Sequence, residues 1–234
     1  QLGSYDHSKE VIIDPTVSFP SAPIFGIAQA ASDLSYDVDF DNAGNSFVYG
    51  GTAPFTIIKF NAAGTQLWSY AIGKSFGAAL AAGTGYGDMA VDQKSGRLYV
   101  CEGFALAGGG CRILKIGVAG DSIGRYPGDP SYNEMWRMQY NACVGKMVIA
   151  GATTGTPGGG SKHVALVDTT LTTLTAVNVL PDDRDMAIFA MDDFGDCFIA
   201  CSIPPGSSGS AQPNDMSKIP LPTFAPVWTV HNYH

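Results

Sequence analysis

A short pattern returns four times along the chain, about every 50 residues. In each copy apolar and polar residues alternate, an Asp or Asn follows, a Gly comes three or four residues later, and a second apolar segment begins. The Asp or Asn residues and their glycines are Asp41 and Gly44, Asp92 and Gly96, Asn141 and Gly145, and Asp192 and Gly195. Asp or Asn shortly before Gly is typical of a tight turn. The pattern therefore predicts four similar units, each with two strands joined by a turn.

The alternation before each turn predicts a strand with one buried face. The residues one and three positions before the turn Asp or Asn are apolar in all four copies: Val38 and Phe40, Met89 and Val91, Met138 and Tyr140, and Phe189 and Met191. The residues between them are polar or small, namely Asp39, Ala90, Gln139 and Ala190. This period of two is that of a strand whose apolar side packs on a core.

Each unit divides into four strand-like segments. The units cover approximately residues 32–80, 81–130, 131–181 and 182–234, and residues 1–31 form an extended N-terminal segment outside them. Four-stranded repeats of this length are typical of β-propeller blades. We therefore predict an all-β fold, a β-propeller-like array of four ~50-residue repeats plus an N-terminal strand segment. A closed ring of four blades and a part of a larger propeller both remain open at this point.

A family resemblance is carried by residues 37–73. They contain an Asp-Asn-Ala-Gly-Asn turn, a Phe-Val-Tyr-Gly strand and a later Gln-Leu-Trp segment. This combination resembles bacterial β-propeller repeats of the SBBP type and, more loosely, the blades of quinoprotein-like propellers. Lys115, Lys218 and Trp228 repeat parts of it in later units, whereas the third unit has Leu166 at the lysine position. The resemblance implies an extracellular or envelope propeller, and it brings no catalytic motif with it.

Charge and hydropathy exclude several function classes. The net charge is −8 and the pI is near 4.7, which disfavours nucleic acid as a partner because phosphates would be repelled. The sequence contains no run of 18 or more apolar residues, so it predicts no membrane-spanning helix. The chain begins with Gln1 and shows no signal-peptide pattern. We therefore expect a mature secreted protein or a fragment, with an extracellular location.

The cysteines suggest structural disulfides. Five are present, an odd number. Cys101 and Cys111 flank a Gly-rich hairpin loop, so neighbouring antiparallel strands would bring them close. Cys143 and Cys197 occupy comparable places in adjacent units and are the second candidate pair, which leaves Cys201 over. No spacing among them is that of a zinc site.

Three aspartates suggest a calcium site. Asp37, Asp39 and Asp41 alternate along one strand face and are followed by Gly44, which is similar to the start of a calcium-binding loop. The Glu expected later in such a loop is absent. The alternative is that Asp41 only caps the repeat turn through its side chain. Calcium is the one cofactor that the sequence suggests, and the expectation otherwise is that there is none.

A second set of polar residues is expected at the mouth of the central channel, where the innermost strands end. The candidates for ligand binding are Asp88, Glu134, Trp136, Arg137, Arg184 and Asp185. Carboxylates and Arg converging on a channel can bind a polar ligand. The alternative is that they only pair with one another and with water. No catalytic residue is predicted, because the four histidines are scattered and no nucleophile motif is present.

We expect a secreted, non-enzymatic protein with a structural, adhesive or self-assembling role, such as a filament or matrix subunit. The apolar stretches of the N-terminal segment need a sheet edge to pair with, which is either the last blade of the same chain or, in an assembly, a second copy of the protein as its partner. The alternative is a propeller enzyme or binding module that takes a polysaccharide or another polar ligand at the central channel.

Overall fold

The computed structural model describes residues 35–51, 55–72, 86–103, 110–129, 135–151, 164–177, 186–192, 194–202, 215–221 and 223–231. The predicted N-terminal segment, residues 1–31, lies outside this part of the chain. The regular structure in the described ranges consists of strands. None of these ranges contains a helix with the length and apolar character needed to cross a lipid bilayer.

Sixteen strands form four antiparallel sheets of four strands each, which we call blades 1 to 4. Blade 1 consists of β1 (Ser35–Phe40), β2 (Ser46–Gly50), β3 (Thr56–Phe60) and β4 (Gln66–Ala71), and blade 2 of β5 (Tyr86–Asp92), β6 (Arg97–Glu102), β7 (Ile113–Ile116) and β8 (Ser122–Tyr126). Blade 3 consists of β9 (Arg137–Asn141), β10 (Lys146–Ala150), β11 (Val164–Asp168) and β12 (Leu174–Val177), and blade 4 of β13 (Met186–Met191), β14 (Cys197–Ser202), β15 (Asp215–Ile219) and β16 (Trp228–His231). The predicted all-β fold of four repeated four-stranded units is confirmed.

The repeat turns join the first two strands of each blade. Their glycines all have a left-handed φ, 79° at Gly44, 68° at Gly96, 64° at Gly145 and 86° at Gly195. Glycine adopts this conformation without the steric cost that a Cβ atom brings. Neighbouring strands of a blade are consecutive in the chain, so every blade is a simple meander.

Each blade has two faces. Alternate residues of a strand point to the preceding blade, on what we call the incoming face, or to the following blade, on the outgoing face. The joint between blades 1 and 2 buries Phe47 and Ile57 of the first against Leu98 and Val100 of the second. Equivalent clusters fill the joint between blades 2 and 3 and the joint between blades 3 and 4. The apolar core is therefore divided among three joints.

The predicted burial of the innermost strands is confirmed in the middle of the array and is wrong at its start. Met89, Val91 and Met138 are buried, with at most 2% of their surface exposed. Val38 and Phe40, the same positions of blade 1, are 52% and 54% exposed. The reason is that blades 2 and 3 have a preceding blade to pack on.

The innermost strands run side by side. β1 contacts β5, β5 contacts β9, and β9 contacts β13. In the described part of the chain no contact of similar extent joins β13 back to β1. The described strands therefore form an arc of four blades around a shared channel.

The predicted disulfides are wrong. Cys101, Cys111, Cys143 and Cys197 are all thiols in the structure. Cys101 pairs directly with Ile113 across the sheet, so Cys111 is two residues away from the opposing position. The Cys101 thiol instead points to the next blade, 3.5 Å from the carbonyl oxygen of Met135. Cys143 is exposed whereas Cys197 is buried in the joint between blades 3 and 4, so their side chains have different surroundings.

Candidate ligand-binding channel

The innermost strands of the blades present equivalent residues to the channel in layers. Four positions before the turn Asp or Asn lie Asp37, Asp88 and Arg137, in blades 1, 2 and 3. Two positions before it lie Asp39, Ala90 and Gln139. The turn residues form a third layer at one end of the channel. Because the blades share one strand pattern, each layer brings side chains that are about 50 residues apart to the same height.

The layer of Asp37, Asp88 and Arg137 forms a chain of polar contacts across three blades. The carboxyl groups of Asp37 and Asp88 hydrogen-bond each other. The guanidinium Nη1 of Arg137 lies 3.9 Å from Oδ2 of Asp88. The backbone N–H of Met138 donates to that same oxygen at 2.9 Å. Asp88 therefore lies at the centre of this layer and connects blade 2 to both neighbours.

Asp88 has a raised pKa. Burial raises its pKa to about 8, and the hydrogen bond and negative charge of Asp37 act in the same direction. The hydrogen bond from Met138 and the positive charge of Arg137 oppose this change and are weaker. A negative charge in contact with a carboxyl group disfavours the ionised form of that group, so Asp88 keeps its proton to a higher pH than an ordinary aspartate. The pair therefore offers both a hydrogen-bond donor and several acceptors.

The next layer is held by Asp39. Its Oδ2 accepts a hydrogen bond from the backbone N–H of Val91 in blade 2 at 2.7 Å, and its Oδ1 accepts one from Phe40 at 2.8 Å. Burial raises the pKa of Asp39 in spite of these two hydrogen bonds. Asp39 thus fastens blade 1 to blade 2 in the way that Asp88 fastens blade 2 to blade 3.

Two cavities follow the channel. The smaller, of about 260 Å³, lies along the inner strands of blades 1 to 3 and is lined by Asp37, Asp88, Arg137 and Gln139 among others. The larger, of about 780 Å³, lies at the turn end and involves all four blades, with Asp92, Asn141 and Asp192 in its wall. Asp39 and Gln139 line both. The channel therefore has polar residues in its wall from the inner strands to the turns, and the larger cavity has the volume of a small-molecule site.

The turn layer shows why Asp41 is a structural residue. Its Oδ1 accepts hydrogen bonds from the backbone N–H groups of Ala43 and Asn45 at 3.0 and 2.9 Å, and its Oδ2 lies 3.4 Å from Nζ of Lys59. Burial alone would raise the pKa of Asp41, but the hydrogen bonds from Asn45 and the Lys59 cation outweigh it and lower the pKa. The carboxylate is therefore occupied within blade 1.

The structure brings some predicted residues together and separates others. Asp37, Asp39 and Asp41 do not form one group, because the first two reach to blade 2 and Asp41 caps its own turn. In the described ranges no three His, Cys, Asp or Glu residues are grouped so that they could hold a metal ion. Of the ligand candidates, Asp88 and Arg137 line the channel, and Trp136 precedes β9 with its backbone N–H bonded to the carbonyl of Ala150. Glu134, Arg184 and Asp185 lie outside the described residues.

Comparison with solved structures identifies the architecture. The chain is similar to the hydrazine synthase of Kuenenia stuttgartiensis, with a TM-score of 0.57 and 10% identity over 94% of this chain and 53% of that one. It is also similar to the Dos1 propeller, with a TM-score of 0.56 and 9% identity over 85% of this chain and 47% of that one. A chimera of ACO and RPE65 gives a TM-score of 0.51 at 11% identity, over 82% of this chain and 49% of that one. The fold is a β-propeller.

The similarity is one of fold alone. At identities of 9–11%, the solved propellers show how the blades are arranged and not what they bind. The chain spans about half the length of these structures. No protein-family profile matches the sequence, and no curated protein matches it. The function must therefore be argued from the channel itself.

Two features of the channel were missed from the sequence. Asp37 was expected at the ends of the innermost strands but was assigned to a metal site and not to the ligand candidates, although it lies four positions before its turn, as Asp88 and Arg137 do. Counting back from the turns would have grouped the three residues. Gln139 and Asn141 were not predicted to line a cavity, and their signal was the same: they occupy the positions of Asp39 and Asp41 in the third unit.

Proposed function

We propose that this protein is a secreted, non-enzymatic binding module that takes a polar, hydroxyl-rich ligand, such as a segment of a polysaccharide, in its central channel. The observation that carries the proposal is the layer of Asp37, Asp88 and Arg137 beside the inner cavity. The layer combines two carboxyl groups, one of which has a raised pKa, and a guanidinium within one set of contacts.

The chemistry of this layer matches hydroxyl groups. A sugar hydroxyl donates one hydrogen bond and accepts others, so it needs donors and acceptors next to each other. Arg137 supplies donors, and 53% of its side chain is exposed and so accessible to a ligand. Asp37 and Gln139 supply acceptors in the same cavity. The polar turn end extends the site, so that a chain of more than one sugar unit would reach from one cavity into the other.

The extracellular location is part of this proposal. It agrees with the resemblance of residues 37–73 to SBBP-type repeats. The absence of catalytic motifs in the sequence supports binding rather than catalysis. The protonated Asp88 is also what a general acid requires. If a bound glycan is hydrolysed, the protein is an enzyme and not a binding module. Analysis of the products after prolonged incubation distinguishes the two functions.

The experiment is calorimetric titration with neutral oligosaccharides of glucose, xylose and N-acetylglucosamine. We expect binding by the wild type that R137M weakens at least tenfold. R125M is the matched control, because Arg125 is an exposed arginine on the outermost strand of blade 2, away from the channel. Equal binding by R137M and R125M, or no binding of any of these glycans by the wild type, would refute the proposal.

A structural role through self-assembly is the second candidate. The observation that favours it is the exposure of apolar side chains on the first and last blades, such as Phe40 at 54% and Val230 at 44%. Electron microscopy of the concentrated protein tests it. Filaments that disappear when residues 1–20 are deleted would support assembly through the N-terminal segment, and a truncated protein that still forms filaments would contradict it.

A further inference from the structure

Phe194 is the most exposed large apolar residue that the structure describes. Its exposed fraction is 84%, and the next is that of Val227 at 65%. A phenyl ring in contact with water gains little of the free energy that burial would supply. Phe194 therefore contributes almost nothing to the apolar core, and its ring is accessible to a ligand.

The repeat turn of blade 4 uses only the backbone of Phe194. The backbone N–H of Phe194 donates to Oδ1 of Asp192 at 3.0 Å, and the N–H of Gly195 donates to the carbonyl oxygen of Asp192 at 3.0 Å. Ala43 occupies the same position in the turn of blade 1, and its backbone N–H makes the same bond to Asp41 at 3.0 Å. The turn thus needs its Asp and its Gly, whereas an alanine is sufficient at the position of Phe194.

The exposure is a property of the turn position. Ala43 is exposed although blade 2 follows blade 1. Lys94 and Cys143, in the turns of blades 2 and 3, are exposed although a further blade follows each of them. The tips of the repeat turns thus lie outside the joints between blades. The exposure of Phe194 therefore does not depend on what lies beside blade 4.

Phe194 lies at the rim of the larger cavity. Asp192 and Gly195, which flank it in the turn, both line that cavity. The carbonyl oxygen of Gly195 accepts a hydrogen bond from the side chain of Asn141 at 2.9 Å, so the turn of blade 4 is held against that of blade 3. Tyr140, which is partly buried, adds a second aromatic side chain to the cavity wall. The turn end of the channel therefore places an exposed aromatic ring beside a cavity.

The polar side chains around this cavity are of two kinds. Asp92 and Asp192 accept hydrogen bonds from the backbone of their own turns. Gln93, Lys94 and Gln139 are exposed, and their side chains make no hydrogen bond within the described part of the chain. The first kind is occupied by the fold, whereas the second can bind the hydroxyl groups of a ligand.

We propose that Phe194 is a stacking platform for one pyranose ring of a neutral glycan, which binds at the turn end while the Arg137 layer binds a ring further inside the channel. The inference rests on the proposed function and adds a second subsite to it. The C–H groups on one face of a pyranose ring carry partial positive charge, which suits the negative face of a phenyl ring. The hydroxyl groups at the edge of the sugar remain available to Gln93, Lys94 and Gln139.

Calorimetric titration with glucose oligosaccharides of different length tests the platform. F194A should weaken the binding of a hexasaccharide about fivefold, because the stacking contact is lost. A disaccharide is too short to extend from the Arg137 layer to the turn end, so it should bind to F194A as it binds to the wild type. I123A is the control, because Ile123 is 45% exposed on the outermost strand of blade 2.

Two further substitutions of Phe194 distinguish stacking from simple apolar contact. F194W should bind the hexasaccharide at least as tightly as the wild type. F194L, which keeps an apolar side chain without an aromatic ring, should bind it as weakly as F194A. NMR of the bound glycan gives a second measurement, because the ring current of Phe194 should shift the C–H protons of the stacked sugar upfield in the wild type and not in F194L.

The outcomes separate this inference from the proposed function. Equal affinity of F194A and I123A for the hexasaccharide would overturn the platform, and so would wild-type affinity in F194L or an equal loss with the disaccharide. If R137M still weakens binding in these cases, the proposed function stands without the platform. No binding of the hexasaccharide by the wild type would overturn both.

Discussion

Two buried aspartates of this propeller, Asp41 in the first repeat turn and Asp88 in the channel wall, have pKa values that are shifted in opposite directions. They are 8% and 6% exposed, so burial alone would raise the pKa of both. Asp41 faces the Lys59 cation and a set of hydrogen-bond donors, and its pKa is lowered. Asp88 faces another carboxyl group, and its pKa is raised to about 8. The charge of the neighbouring group, and not the depth of burial, therefore decides the direction of the pKa shift.

This difference separates a structural residue from a functional candidate. The Asp41 carboxylate is satisfied by contacts within blade 1, so it has little left to offer a ligand. Asp88 borders a cavity, and its raised pKa favours the protonated form, which can donate a hydrogen bond. Perturbed titration in a cleft is a mark of functional sites. The channel layer, and not the turn, is therefore the place to look for a ligand.

The third repeat shows that the turn pair can be replaced. Where the other blades have Lys59, Lys115 and Lys218, blade 3 has Leu166, and its turn residue is Asn141 in place of Asp. A neutral amide needs no cation. The side-chain N–H of Asn141 donates instead to the carbonyl oxygen of Gly195 in blade 4 at 2.9 Å. In blade 3 the lysine cation and the negative charge of the turn residue are therefore both absent.

The largest predicted effect is that of K59L. The substitution leaves the Asp41 carboxylate buried without its cation and should lower the free energy of unfolding by about 3 kcal/mol. The double variant D41N/K59L copies the arrangement of blade 3 and should recover at least half of that loss. Urea unfolding measures both. A double variant as unstable as K59L would show that the ion pair is not what the two residues contribute.

The second prediction is the reverse change in blade 3. N141D places a carboxylate where the side chain must donate to the Gly195 carbonyl, so the hydrogen bond is lost and two acceptors face each other. We expect a loss of about 2 kcal/mol in the free energy of unfolding. D92N, in the less buried turn of blade 2, should cost less than about half as much. Equal losses of stability in the two variants would show that the hydrogen bond from Asn141 to the Gly195 carbonyl has no special weight.

The third prediction concerns pH. The pKa of Asp88 is higher in the folded protein than in the unfolded chain, so folding takes up a proton between about pH 4 and pH 8. The stability that Asp88 contributes is therefore complete below pH 4 and is lost as the pH rises to 8, by at most about 1.4 kcal/mol per pH unit. D88N should remove this dependence. The difference in unfolding free energy between wild type and D88N, measured from pH 5 to 9, should change with pH, and a constant difference would be inconsistent with a raised pKa.

Much of the fold could be predicted from the sequence because it depends on local signals that recur. The turn glycines and the period of two before them located β1 and β2, and the same signals located the corresponding strands of the later blades. The failure at Val38 and Phe40 has a physical reason. Alternation shows which face of a strand is apolar, whereas burial depends on whether another blade covers that face.

The site was harder to predict, because its contacts join residues that are far apart in the sequence. The hydrogen bond between Asp37 and Asp88 connects two blades, and Asp37 was assigned to a metal site from its neighbours in the chain. The disulfides failed for a related reason. The loop between Cys101 and Cys111 suggested that they are opposite each other, but the register pairs Cys101 with Ile113.

The most direct test of the account is an NMR titration that follows the side-chain carboxyl carbons. The variants D41N and D88N identify the resonances of Asp41 and Asp88. The account predicts that the side-chain carboxyl of Asp88 titrates with a midpoint near pH 8 and that of Asp41 with a midpoint below 3.8. A midpoint for Asp88 in the ordinary range of aspartate, about 3 to 4, or a midpoint for Asp41 at or above 3.8, would contradict it.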